Sequence, residues 1–529
     1  MNKSFINKFQ DKKIMIIIPH EDDEINLAGS FIYSLTKSDN KDVYVVFLTN
    51  GDFRGKDIGL VRINEAVNSC KKLGVDEKKI IFLGYPDTAP GVENNIFSFE
   101  EGFSFNGISE TYGNEKYPDY HYIKHGEHAA YGMKNMRGDL EELLLEYKPE
   151  FIFYNDNDYH PMHRVLSMTL DAVINKIFRE DESYRPWVYK GLSYDLSWLA
   201  PEDYTVYNLK SSKTKQDVKT LSNPYVSLND LIRFPVSSEI AKGMICDNPI
   251  FKASRCHKSQ MSAYLVNRCI NSDICFYRKR FDNIIGKTAH IVKDNVNLYN
   301  ANTWYTNTPW IGKDAYIDYD VAAVNLGRKI EITVDTPIMG NIIIYNAIKS
   351  EVNEIKISTN TESYTVRKLN NVFSLKGIKI NDIIKIESLN DEDLLFNEIE
   401  LFEENVEDKK PWFIKLKIND EYVYTYYKGA EECEISAVVY NNMGEDITES
   451  EEVIIDNLGR GNIRAYLKHY PDITDDIEIK KLGILNKIKF KYLTFKSDYT
   501  FRRLWELDVN GRVSLRYKIK LFVKCLIGR

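Results

Sequence analysis

The sequence predicts an α/β domain built on a mostly parallel sheet, then two β-sandwiches and a basic C-terminal segment. Three observations carry this. An apolar run at residues 14–18 leads into a cluster of acids, a second largely apolar run at residues 151–155 leads into two histidines, and short β-rich runs separated by turns begin near Asn283.

The run Ile14-Met-Ile-Ile-Ile18 is too short for a globular helix and too apolar for an exposed strand, so it fits a central parallel strand covered on both faces. Pro19 has no N–H to give to a ladder and stops the strand. His20, Asp22 and Asp23 are thereby released at its carboxyl end, the edge where open α/β sheets bind ligands. Ile25, Ala28, Phe31, Ile32 and Leu35 recur at helical spacing, which puts the acids at a helix N-terminus, where the dipole favours anions. His20 and Asp23 are three apart and can both face one ion. No Gly-x-Gly-x-x-Gly follows the strand and the carboxylates would repel phosphates, which argues against a nucleotide. An acidic cluster that only caps the helix is the competing reading.

Val43–Leu48 and Lys79–Leu83 read as the next strands, with Ile63, Val67, Cys70 and Leu73 marking the helix between them and Gly74 its stop. The long stretch 86–133, rich in Gly, Tyr, Phe and Asn, reads as an active-site wall or lid with aromatic rings suited to stacking, a merely Tyr-rich loop being the alternative. Its His121, His125 and His128 form a rival metal site, disfavoured because no strand delivers them and Gly113 and Gly126 interrupt the helix. Phe151–Asn155 is another buried strand, followed by Asp156-Asn-Asp-Tyr-His160-Pro-Met-His163 and a helical pattern at Leu166, Leu170, Val173, Ile174 and Ile177. Both histidine-bearing turns thus lie at the carboxyl ends of parallel strands. Two imidazoles and a carboxylate, with acids and bases left over, make the ligand set of an open catalytic zinc site. Fe2+ accepts the same ligands, but the flanking Asp22 suits hydrolysis better than oxygenase chemistry.

The 529 residues are a prior for three or four domains, and 43% hydrophobic with 28% charged residues gives ample core. A net charge of -8 argues against a nucleic-acid partner. Met1–Lys13 has no apolar h-region and no run reaches the ~20 apolar residues of a spanning helix, so a cytoplasmic protein is expected. Seven scattered cysteines read as reduced thiols.

The first domain is expected over 1–282. A β-sandwich is expected over 283–405, from runs such as Lys329–Val334, Asn341–Tyr345 and Ile383–Ser388. Asn302-Thr-Trp304 with Pro309-Trp310, Asn325-Leu-Gly327 and Asn397-Glu-Ile-Glu-Leu-Phe402 resemble discoidin or galactose-binding-like modules. That resemblance implies sugar contact by Trp304, Tyr305 and Trp310, with a core role as the alternative. Over 406–483, Trp412–Ile418 and Glu421–Tyr427 alternate around Asn419-Asp420 as a hairpin in an immunoglobulin-like sandwich. The segment 484–529 carries twelve basic residues, among them Lys487, Arg503, Arg516 and Lys520, interleaved with apolar ones. As an amphipathic helix it would contact anionic lipid headgroups, at about 1 kcal/mol per basic residue. A closing β-strand is the alternative.

Pro19-His20-Glu21-Asp22-Asp23-Glu24 resembles the Pro-His-Pro-Asp-Asp-Glu signature of the PIG-L or LmbE-like zinc-dependent de-N-acetylases. Leu48-Thr-Asn-Gly51-Asp52, Arg62-x-x-Glu65-Ala66, Leu83-Gly-Tyr-Pro-Asp87, His160-Pro161-Met162-His163 and, faintly, His257-Lys-Ser-Gln260 support it over the first half of the chain. The resemblance implies that His20, Asp23 and His163 hold the metal, that Asp22 is the general base, and that His160 stabilises the oxyanion and helps the amine leave. Chemistry agrees: a divalent ion acidifies bound water and polarises an amide carbonyl, and a carboxylate beside it takes the water's proton. A protonated His160 would contribute roughly 3 to 4 kcal/mol to oxyanion stabilisation. Arg62 either binds substrate or pairs with Glu65, and Asn50 either contacts substrate or forms a turn.

Two positions depart from the signatures. Glu21 replaces a proline and adds a charge near the metal. Met162 replaces an aspartate that orients the neighbouring histidine, so His160 is expected to be less basic, with Asp156 and Asp158 the candidates to take over. The favoured function is removal of acetyl from an N-acetylated, GlcNAc-type sugar, lipid- or nucleotide-linked, in surface-glycan assembly at the inner membrane face. The alternatives are a weakened relative that chiefly binds carbohydrate, and a metal hydrolase of another amide or ester.

Overall fold

β1 (Ile14–Ile18) is buried along its whole length, and the first domain is laid out on either side of it. The computed structural model describes residues 3–88, 101–194, 221–241, 248–260, 269–301, 323–428 and 432–489, except 39, 41, 159 and 294, together with 96, 211–212, 491–492, 495, 515–516, 519 and 523. In chain order the first domain contains α1 (Lys3–Asn7), β1, α2 (Asp23–Lys37), β2 (Val43–Thr49), α3 (Lys56–Lys72), β3 (Ile80–Tyr85), α4 (Tyr120–His125), α5 (Met133–Tyr147), β4 (Phe151–Asn155), α6 (Pro161–Glu180), β5 (Trp187–Gly191), β6 (Ile232–Pro235), α7 (Ser238–Ala241), α8 (Pro249–Ser254) and β7 (Asp273–Lys279).

The seven strands lie in the order β3-β2-β1-β4-β5-β7-β6. β1 pairs in parallel with β2 and β4, whereas β7 runs antiparallel to β5 and β6. This is the expected Rossmann-like, mostly parallel α/β sheet. Side chains alternate along β1: Ile14, Ile16 and Ile18 join the core on one face, Met15 and Ile17 the core on the other, which is why every position of the strand had to be apolar. The chain builds β2 and β3 on one side of β1, then returns to its other side with β4. The order reverses between β1 and β4, and in open α/β sheets ligands bind outside the carboxyl ends of the strands at such a point.

Beyond the α/β sheet the strands are mostly antiparallel. A five-stranded and a four-stranded sheet share one core, in which Ile332, Ile357 and Ile386 meet Ile344, Phe373 and Ile399. A three-stranded and a four-stranded sheet follow, with Ile414, Leu416 and Val439 packed on Ala465, Leu467 and Ile477. Pro411–Ile418 turns back through Asn419 (φ 50°) and Asp420 (φ 61°), the left-handed pair of a two-residue hairpin. The return strand pairs only at Glu421–Tyr422; Thr425–Lys428 crosses to the other sheet and pairs in parallel with Thr474–Lys481, so the hairpin is shorter than its alternation predicts.

This last module shares a core with the α/β domain. Trp412, Phe413, Tyr422 and Tyr440 belong to the same buried cluster as Phe5, Phe9, Phe153 and Phe234. Trp304, Tyr305 and Trp310 lie outside the described residues, as does most of 484–529; residues 484–489 are helical, with Ile484, Leu485 and Ile488 exposed. Among the described residues no helix is long and apolar enough to cross a membrane.

Candidate active site

At the end of β1, Pro19 keeps its carbonyl paired with the backbone and hydroxyl of Thr49, and the chain turns sharply into α2. The turn forces Asp22 to φ 140°, ψ -18°, a conformation that costs a non-glycine residue on the order of 1–3 kcal/mol. At the end of β4, His160 is the N-cap of α6 and Pro161 its first residue, a position where the missing N–H costs nothing. His163 then sits in the first turn of α6 and reaches Asp23 at the start of α2.

The two turns meet. Asp23 Oδ2 lies 3.1 Å from His20 Nδ1 and 3.1 Å from His163 Nε2. Ligand atoms bound at 2.0–2.1 Å around a tetrahedral ion stand about 3.3 Å apart, and both separations from the Asp23 oxygen are close to that spacing. The far nitrogen of each imidazole is tied to a carboxylate, His20 Nε2 to Asp87 Oδ1 at 3.2 Å and His163 Nδ1 to Asp158 Oδ2 at 2.7 Å. Such partners fix the tautomer and raise the basicity of metal-binding histidines. His160 stands alongside, its ring centroid 4.7 Å from that of His20 and 4.8 Å from that of His163. The nitrogens of the three histidines lie within 4.8 Å of one another, and no other metal-holding group occurs among the described residues. Either His160 or Asp23 could complete a three-ligand set; the shorter separations favour Asp23.

The four acids after His20 occupy different environments. Glu21, Asp23 and Glu24 are fully buried, whereas Asp22 is partly exposed. Glu21 lies beside Arg62; burial pushes its carboxyl up to about 8 against the pull of that guanidinium. Burial would raise Asp23 too, but His163 and His20 hold it well below the usual carboxylate range. Burial also raises Asp22, with Arg62 opposing. Burial opposes charge on His20 and His163, yet Asp87 and Asp23 lift the first to about 10, and Asp158 and Asp23 lift the second to about 9.

Several expectations change. A protonated His160 does not fit the site: burial, then the charges of His20 and His163, hold it well below its ordinary value, and its buried Nδ1 has no hydrogen-bond partner among the described residues. Neither acid replaces the carboxylate lost at Met162. Asp158 serves His163 and takes only the backbone N–H of His160, while Asp156 is held by Lys190 and Asn223. Arg62 does not pair with Glu65, which accepts from Ser259. Its guanidinium donates to the carbonyls of Glu21 and Gly51 and lies 3.4 Å from Asp22 Oδ1. Asn50 is fully buried and its amide donates to the carbonyls of Gly84 and Tyr112, so it ties the end of β2 to β3 and to the segment that follows, which is neither a local turn bond nor an exposed substrate contact. His121, His125 and His128 each face a separate carboxylate, of Asp139, Glu142 and Asp119.

Asp87 was not singled out as functional from sequence, and Asp158 was named only as a candidate partner of His160, not of His163, which it serves. Asp87 ends a quoted motif, and that position after β3 was its only signal. Within the described part of the stretch that follows, Tyr112 donates to Asp52 Oδ2, and Asp52 Oδ1 accepts from the backbone of Asp87.

The family described as PIG-L, GlcNAc-PI de-N-acetylase, matches residues 15–174, a span that holds both turns. No curated protein matches the chain. Among solved structures the chain is similar to N,N'-diacetylchitobiose deacetylase from Pyrococcus horikoshii, at 20% identity over 36% of this chain and 65% of that one, with a TM-score of 0.24. It is similar to a deacetylase of teicoplanin biosynthesis at 14% identity, over 50% of this chain and 97% of that one, with a TM-score of 0.30. It is also similar to GH31 CBM32-2 bound to GalNAc at 19% identity, over 22% of this chain and 97% of that one, with a TM-score of 0.15. The chain spans 65% of the length of the first of these. With its signature turns and their convergence at Asp23, the segment 15–174 is a PIG-L family domain.

Proposed function

We propose that the chain is a hydrolytic N-deacetylase that releases acetate from an N-acetylated sugar. The observation that carries the reading is the meeting of His20, Asp23 and His163 beside the one motif acid left open, Asp22. His20, Asp23 and His163 would hold a divalent cation, zinc or iron, which when bound supplies Lewis acidity toward an amide carbonyl and toward water. Asp22, raised by burial, accepts the proton of the attacking water. Arg62 holds the turn through the Glu21 carbonyl and limits how far the Asp22 carboxylate can swing. His160, neutral in the free protein, donates an imidazole N–H hydrogen bond to the carbonyl oxygen as negative charge develops there, and the proton that Asp22 takes from water is the one delivered to the departing amine. Asp87 and Asp158 keep the two metal-facing imidazoles oriented.

The lipid- or nucleotide-linked GlcNAc-type substrate, the cytoplasmic location and the docking of the basic tail on anionic lipid at the inner membrane face belong to the same proposal. That no carboxylate among the described residues bonds the His160 ring supports a second reading, a slow enzyme whose β modules chiefly bind carbohydrate. One experiment separates them: acetate release from a panel of N-acetyl and O-acyl sugars, with chelated protein as control. Release from an N-acetyl sugar that stops on chelation supports deacetylation, release from O-acyl sugars alone points to another hydrolase, and carbohydrate binding without release points to the second reading.

A further inference from the structure

His257 lies far from the signature turns in sequence, yet it is fully buried against one of them. It follows α8, which packs against α2 and α3, and the segment is pinned when Ser259 donates its backbone N–H and hydroxyl to Glu65 of α3. His257 Nε2 lies 2.5 Å from Glu24 Oε1, and the other oxygen of that carboxylate accepts the backbone N–H of Asp22 at 3.0 Å. Glu24 is thus spent on both sides, with an imidazole on one oxygen and the strained peptide of Asp22 on the other. Arg62 holds the preceding peptide from the opposite flank through the Glu21 carbonyl, at 2.6 Å. A residue at φ 140° stays there only when its surroundings over-determine it, and these two clamps do so.

We propose that His257 is a positioning residue, which acts through Glu24 to hold Asp22 in the backbone conformation that presents its carboxylate beside the His20, Asp23 and His163 cluster. His257 touches neither that cluster nor a substrate; it is the last link of a chain running from His257 to Glu24 to the Asp22 N–H. The proposal rests on the deacetylase reading for its kinetic consequence and on geometry alone for its structural one.

The test compares the full-length wild type with His257→Ala and His257→Gln, the latter keeping an N–H donor within reach of Glu24. In His257→Ala, kcat falls roughly 10- to 100-fold, as for other partners that act at one remove, while KM and the stoichiometry of bound zinc stay at wild-type values. His257→Gln recovers most of the loss. A crystal structure of His257→Ala shows Glu24 turned away from the Asp22 N–H and residue 22 out of the positive-φ region. Unchanged kcat in His257→Ala overturns the proposal, as does a loss that follows zinc content and is not recovered by glutamine, or a structure in which Asp22 keeps its conformation. A wild type that releases no acetate from any sugar overturns the deacetylase reading instead, and the crystal structure still decides the role of His257.

Discussion

Four consecutive acids, Glu21 to Glu24, meet Arg62, Asp23's two imidazole partners and His257 in turn, and only Asp22 is left with an open carboxylate. Asp22→Asn is therefore expected to keep bound metal and lose about 10²- to 10⁴-fold in turnover, the usual worth of a positioned base. Metal analysis with acetate release checks it, and wild-type turnover would remove Asp22 from the mechanism. Asp158→Asn removes the carboxylate behind His163 and should weaken metal binding about 10- to 100-fold, read by competition with a chelating dye. Proton linkage gives a further expectation. In the free protein His20 and His163 are lifted to about 10 and about 9, so at neutral pH both hold protons that a cation must displace. Affinity accordingly begins to fall as pH drops past about 10 and, below about 9, falls by roughly tenfold per unit for each displaced proton, and calorimetry in buffers of different ionisation enthalpy should detect proton release on zinc uptake. His20, Asp23 and His163 could be read from sequence because a cation needs those side chains at those spacings. Asp87 could not, nor could the pairing of Asp158 with His163 in place of His160, because only the fold decides which of many nearby acids stands behind each imidazole.

Strands β1, β2, β3 and β4 were legible because burial on both faces forces an apolar run and Pro19 marks where the first one stops. The described stretch after β3 was less so. Its shape comes from contacts such as Tyr112 with Asp52 and Thr111 with Asp119, which periodicity does not encode. Gly84 shows the constraint. It has φ +74°, and a Cβ there would lie 2.5 Å from the Tyr112 carbonyl oxygen and 2.6 Å from the Asp119 Cβ, both unable to yield without moving that stretch. Gly84→Ala is expected to destabilise the protein by on the order of 2–4 kcal/mol, combining a disfavoured backbone conformation with overpacking. Because Asp87 follows three residues later and faces His20, turnover should fall as well. Denaturant titration and acetate release test the two parts; wild-type stability would show that the stretch relaxes freely.

At the level of the whole molecule, alternation and turn residues pointed to a separate module after residue 406, but they could not show that its first strand closes the core of the α/β domain. The contacts join opposite ends of the chain. Phe5 of α1 has its ring 5.4 Å from that of Trp412 and 5.1 Å from that of Phe413, and Phe234 of β6 lies 5.5 Å from Trp412. Trp412 is 5% exposed, so truncating it to alanine leaves a cavity between the last module and the sheet, with an expected cost of about 3–5 kcal/mol. The partition of that cost is the informative part. If the module were an independent unit tethered by a linker, calorimetry of Trp412→Ala would show one endotherm shifted and the α/β transition unmoved. A shared core requires both to melt together at a lower temperature, with acetate release lost over the same interval, because α1, β6 and the strand Pro411–Ile418 bury the same aromatic cluster. A shifted module alongside an unmoved α/β transition would mean that the aromatic cluster does not couple the module to the sheet.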